Sequence, residues 1–97
     1  MNVMATVFRY GPYVWFSDDG VPPGTEHFWT FGPWPWYSDA VIITAHPFAL
    51  AGANRSMAVT SISSRAAPNG ERFIDCTVRN VGPDWGNYAI WIGGVGP

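Results

Sequence analysis

Glycine and proline interrupt this chain about every ten residues, 11 Gly and 9 Pro in 97 positions, and that punctuation constrains its fold more than any other feature. No stretch keeps a helical apolar period over the dozen residues a stable helix needs. Between the breaks lie short runs rich in Val, Ile, Thr, Phe, Tyr and Trp, which read as strands. They fall at about 3–9 (VMATVFR), 13–17 (YVWFS), 27–31 (HFWTF), 40–46 (AVIITAH), 56–65 (SMAVTSISSR), 72–80 (RFIDCTVRN) and 87–92 (NYAIWI). Seven short strands predict an all-β chain, a small antiparallel β-sandwich with Ig-like Greek-key connections. The length predicts one domain, residues 1–97.

The clearest local unit is a hairpin. SMAVTSISSR and RFIDCTVRN flank AAPNGE, and Asn69-Gly70 is a tight-turn signal because both residues tolerate positive φ. In the second strand Ile74, Cys76 and Val78 share one face, while Phe73, Asp75, Thr77 and Arg79 share the other. This is the alternation of a half-buried strand. The inward set is expected to meet Ile43 or Ile42, and Ile90 or Trp91. Cys76 is the single cysteine, so no intrachain disulfide can form. Stability must come from packing, alone or aided by oligomerisation.

The stretch TVRNVGPDWGNYAIWI (77–92) resembles the end of a bacterial Ig-like module of the kind found in cell-adhesion-related repeats, where a strand ending in VxNxG turns into a final strand. The resemblance covers about the last third of the chain. It implies a module that binds partners or spaces domains and is not an enzyme.

Aromatic side chains set the functional expectations. The 6 Trp, 4 Tyr and 6 Phe make sixteen rings, more than one small core absorbs. Charge is sparse: the five basic residues are all arginine, against seven acidic ones, net −2. This composition argues against duplex nucleic acid, which needs several phosphate-neutralising cations, and against an anionic membrane surface. It suits an interface centre, where charge is depleted and aromatics and Arg are enriched. The start, MNVMATVF, has neither a basic n-region nor a long apolar h-region, so no signal peptide is read in it. An extracellular or cell-surface setting stays open.

The first forty residues contain an internal echo. YGPYVWFSDD (10–19) aligns with FGPWPWYSDA (31–40), sharing Gly, Pro, Trp, Ser and Asp. Either both are aromatic-flanked Gly-Pro turns, or they are equivalent loops placing Trp15 beside Trp36. Pro33 and Pro35 hold Trp34 extended and make GPWPW an edge or loop rather than a central strand.

The candidate ligand or interface residues are therefore Trp15, Trp29, Trp34, Trp36 and Tyr37, with Asp18 and Asp39. In a lectin-like version, Trp15, Trp34 and Trp36 stack on a pyranose while Asp18 and Asp39 take its hydroxyls. In the alternative, a structural subunit of a fibre or shell, the same rings pack only on the next copy. Asp18 and Asp19 could offer oxygens to Ca²⁺, but Asp-Gly is common in turns for backbone reasons and the spacing fits no known calcium loop. His27, His46 and Cys76 match no zinc spacing. The sequence thus predicts a non-catalytic, homo-oligomeric binding and assembly module without metal or cofactor, whose partners are itself and, in the lectin version, carbohydrate.

Overall fold

A computed structural model describes residues 6–33 and 40–96. Six strands run in the order β1 (Thr6–Trp15), β2 (Glu26–Phe31), β3 (Ala40–Pro47), β4 (Met57–Ala66), β5 (Arg72–Asn80) and β6 (Tyr88–Gly96), and the described residues contain no helix. They form two three-stranded sheets, ordered β1-β6-β3 and β2-β5-β4, with every pairing antiparallel. The described residues form a small β-sandwich of six strands rather than seven. The two expected N-terminal strands are one: β1 runs through Gly11-Pro12, and its register to β6 shifts between Tyr10 and Tyr13. The proline falls within that irregularity, where the ladder does not call on its missing N–H.

β6 and β5 are the central strands. Tyr88, Ile90 and Ile92 from one sheet meet Ile74, Cys76 and Val78 from the other, with Ile43, Val21 and Phe31 completing a single buried core. Of the paired expectations, Ile43 and Ile90 face inward. Ile42 and Trp91 lie on the opposite parity of their strands.

The β4–β5 hairpin forms as expected, with one correction to its turn chemistry. Gly70 donates to the Ala67 carbonyl, and only Gly70 has positive φ (85°). Pro68 and Asn69 occupy the central positions of the Ala67–Gly70 turn, an arrangement that favours proline second and glycine last. The Asn69 side chain closes the loop by accepting from the Glu71 N–H at 3.0 Å.

Cys76 is buried, and that burial, with the nearby Asp75 charge, pushes its thiol up to about 11. The native protein should therefore leave Cys76 unreactive toward a bulky thiol reagent until it unfolds. Cys76→Ser should cost roughly 1–3 kcal/mol by burying a hydroxyl in an apolar site. Labelling rates in native and urea-unfolded protein, with the denaturation midpoint of the serine variant, check both.

The loops are clipped together at one end of the sandwich. Arg55, in the β3–β4 connection, donates from Nε to the Trp85 carbonyl (2.9 Å) and from Nη1 to the Phe48 carbonyl (2.8 Å). Asn80 ties the β1–β2 and β5–β6 connections by donating to the carbonyls of Val21 (2.8 Å) and Asp84 (2.9 Å). A side chain at Gly82 would come within 2.7 Å of the Ser56 nitrogen, so this turn can press on the start of β4 only with glycine. The VxNxG stretch is thus a structural lock in this chain.

Candidate functional site: an aromatic seam and two outer faces

Strand parity sorts the aromatic stretch HFWTF. On β2, His27, Trp29 and Phe31 turn inward, while Glu26, Phe28 and Thr30 turn outward. β1 answers with Tyr13 and Trp15. The resulting seam joins the sheets at the β1/β2 edge: Tyr13 to Phe31 (5.1 Å), Phe31 stacked with Trp29 (5.8 Å, 8° between planes), Trp29 to Tyr88 (6.2 Å), Tyr88 to His27 (5.7 Å) and His27 to Trp15 (4.4 Å). These spacings are those of offset and edge-to-face ring pairs.

A polar relay runs through the seam. Tyr88 Oη lies 2.8 Å from Trp29 Nε1 and 2.8 Å from His27 Nδ1. Indole can only donate, so the phenol accepts from Trp29 and has its own proton to give to His27. That arrangement requires a neutral imidazole with its proton on Nε2. Burial acts the same way, lowering the His27 pKa from its ordinary value. An unfolded chain then binds a proton at His27 more readily than the folded one, so stability rises with pH across this titration. The contribution should be whole above the ordinary value of 6.5 and decline as the pH falls from there through the lower folded-state value. Urea midpoints measured down this pH range should fall, and the His27→Gln variant should lose that slope.

Of the expected site residues, Trp15 and Trp29 belong to this seam, Trp29 half-buried and Trp15 at its exposed end. Asp18 lies in the β1–β2 connection, exposed. The neighbouring Ser17 and Asn87 bind each other, Asn87 accepting from the Ser17 N–H (3.0 Å) and donating to the Ser17 carbonyl (2.9 Å). Trp34, Trp36, Tyr37 and Asp39 lie outside the described residues. The internal echo is visible at its Gly-Pro pairs: Gly11 and Gly32 both have positive φ (126° and 142°), and both following peptide bonds are cis. Among the described residues no three of His, Cys, Asp and Glu gather as metal ligands.

Two surfaces escaped the sequence reading. On the outer face of β2-β5-β4, the register sets Phe28, Thr77 and Ser61 in one row and Thr30, Asp75 and Ser63 in the next. Phe28 is 81% exposed. Asp75 Oδ2 accepts from Arg65 Nε (3.0 Å), and Oδ1 accepts from Thr30 Oγ1 (2.9 Å). The Arg65 hydrogen bond first, then Thr30, holds the Asp75 carboxyl below its ordinary range. Strand alternation had marked Asp75 and Thr77 as outward; nothing in the sequence paired them with Phe28.

The outer face of β1-β6-β3 is different in kind. β6 turns Ala89, Trp91 and Val95 outward, flanked by Val14 on β1 and by Ile42 on β3, which is 66% exposed, while Thr44 and His46, 2.9 Å apart at Oγ1 and Nε2, stand opposite Trp91 and Ala89. Trp91 lies over Gly11, where an added Cβ would approach its Cε3 to 3.2 Å, and the Arg9 guanidinium sits 4.7 Å from its ring centre. Glycine at this point lets the indole lie close to the backbone, and the Arg9 cation also packs against its ring.

Fold and surfaces define a small all-β sandwich with an aromatic seam between its sheets, one largely polar outer face and one outer face with an apolar patch around Trp91. No family model, curated protein or solved structure matches the chain.

Proposed function

We propose that this protein is a non-catalytic binding and assembly module that associates with further copies of itself through the outer face of the β1-β6-β3 sheet. One observation carries the reading: β6 is apolar on both faces, whereas its counterpart β5 is apolar inward and polar outward. Continuous apolarity is the pattern of a strand covered on both sides. Ile42, Val14 and Val95 extend the exposed apolar surface around Trp91, and contiguous patches of this kind mark interaction sites. Arg9 stacks on Trp91, 4.7 Å from its ring centre, so its charge is partly covered by the indole.

The strand order is in part that of an Ig-type sandwich, with one departure. β2-β5-β4 facing β3-β6 follows the order B-E-D facing C-F, and β1 takes the place beside β6 that a last strand G would hold. Modules of this type work by binding and spacing. The same face would serve a structural subunit equally well, and the size of the assembly separates a closed oligomer from a fibre.

The test is sedimentation velocity at micromolar concentration on the parent chain and on Ile42→Glu. The parent is expected to sediment as an oligomer and the variant as a monomer. Because the Ile42 side chain is mostly in solvent, the stability of the variant, read from its β-sheet signal, should stay within about 0.5 kcal/mol of the parent. A parent that stays a 10.7 kDa monomer at high concentration overturns the proposal.

A further inference from the structure

We infer that the outer face of β2-β5-β4 holds a second, independent site, which binds a neutral saccharide between the Phe28 ring and the Asp75–Arg65 pair. The two rows of this face combine three chemistries that a pyranose presents together. Its axial C–H face needs an exposed apolar plane, and Phe28 offers one at 81% exposure beside the polar residues of both rows. Its hydroxyls, each donor and acceptor, need fixed groups of both kinds. Asp75 supplies an acceptor whose direction is already set by Arg65 and Thr30. Arg65 supplies donors: Nε and Nη2 serve Asp75, at 3.0 and 3.4 Å, and Nη1 makes no hydrogen bond among the described residues. Arg65 is itself held in place over the Phe73 ring, 4.7 Å from its centre.

Charge selects the class of ligand. Asp75 and Arg65 neutralise each other at contact distance. A free cation approaching the carboxylate would meet the guanidinium, and an anion approaching the guanidinium would meet the carboxylate. A neutral polyol bridges the pair without such conflict. Thr30, Ser61, Ser63 and Thr77 line the same shallow groove and extend its hydroxyl-bonding floor. Thr30 already donates to Asp75, and Ser61 and Thr77 are bonded to each other (2.9 Å), which leaves the hydroxyl of Ser63, in register with Asp75, to take a ligand. One ring and an open groove confer weak binding, in roughly the millimolar range for a single sugar.

This face is turned away from the sheet proposed for self-association, so the two readings fail separately. The experiment is saturation-transfer NMR on the full chain with methyl α- and β-glucopyranoside, galactopyranoside, mannopyranoside and N-acetylglucosaminide, and with cellotetraose, alongside backbone amide shifts. At least one of these probes is expected to receive saturation on its ring C–H protons and to shift the amides of Phe28, Thr30, Ser63 and Asp75. Phe28→Ala should weaken that binding roughly five- to tenfold, and Arg65→Ala should weaken it as well. Ile42→Glu should leave it unchanged. Phe28 projects into solvent, so loss of binding in Phe28→Ala with an unchanged melting curve points to the ring and not to unfolding. The inference is overturned if no probe receives saturation, if the binding survives Phe28→Ala, or if only charged sugars such as glucuronate or glucosamine bind, with an affinity that collapses in salt.

Discussion

An Asn80→Asp variant is expected to lose about 3–5 kcal/mol of stability at neutral pH, the scale for an uncompensated buried charge, and to regain part of it in acid. Asn80 is 1% exposed. Its Nδ2 donates to the carbonyls of Val21 and Asp84, and its Oδ1 accepts from the Gly82 N–H at 3.0 Å. Aspartate keeps the acceptor, loses both donors, and points negative charge at two carbonyl oxygens. Burial favours the protonated acid, so the introduced carboxyl would titrate higher in the folded state than in the unfolded chain. Stability then falls as pH rises through that titration and recovers below it, since a protonated carboxyl can donate to one carbonyl again. Asn80→Ala should be milder, about 1–3 kcal/mol, because it orphans the Asp84 carbonyl without adding charge, while the Gly82 N–H still reaches the Ser56 carbonyl at 3.2 Å. The Val21 carbonyl still accepts from the Gly86 N–H at 3.2 Å. Urea midpoints at neutral and acid pH read both effects. A neutral-pH midpoint for Asn80→Asp equal to the parent's would show that the lock does not hold the two connections.

That lock also shows what the sequence carried. VRNVG was legible as a strand end feeding a turn, and the alternation of Ile74, Cys76 and Val78 was legible because β5 is half-buried and so keeps a strict period of two. β1 was not legible as one strand, because Gly11 and Pro12 are breakers by propensity. Only the pairing with β6 on the far side of the chain reveals that the ladder tolerates them. The C-terminal reach of β6 was missed for a similar reason. Gly93 and Gly94 look like a terminus, yet both pair with β1 on one side and β3 on the other, so backbone hydrogen bonds from two neighbours sustain the strand.

The surfaces were harder to foresee than the fold. Aromatic density drew attention to the whole run from His27 to Asp39, but density does not distinguish faces. Within HFWTF, parity sends three rings into the seam and leaves Phe28 outside. Trp91 was weighed as a core residue because its strand is apolar throughout; its outward direction follows from Ile90 and Ile92 being buried, which needs the position of the opposite sheet. The pairing of Phe28 with Asp75 and Arg65 depends on the β2–β5 and β4–β5 registers, and β2 and β5 are far apart in the sequence.

The seam itself is expected to depend most on Tyr88. Tyr88→Ala should cost about 3–5 kcal/mol, the range for deleting a large buried ring, out of a total that for small domains is about 5–15 kcal/mol. Tyr88 is 1% exposed, sits on a central strand, and touches both Trp29 and His27, so no neighbour can swing in to fill its place without opening the β1/β2 edge. Tyr88→Phe separates the ring from the hydroxyl. It keeps the packing but strands the Trp29 indole N–H and takes the donor from His27 Nδ1, for an expected loss of about 1–3 kcal/mol. Thermal and urea unfolding give the two differences. If Tyr88→Phe costs as much as Tyr88→Ala, the hydroxyl relay and not ring packing joins the sheets. If Tyr88→Phe costs nothing, the Trp29 N–H already reaches water and the seam is open at that edge. The intermediate result, ring first and hydroxyl second, is the one that a half-buried Trp29 and a fully buried Tyr88 require.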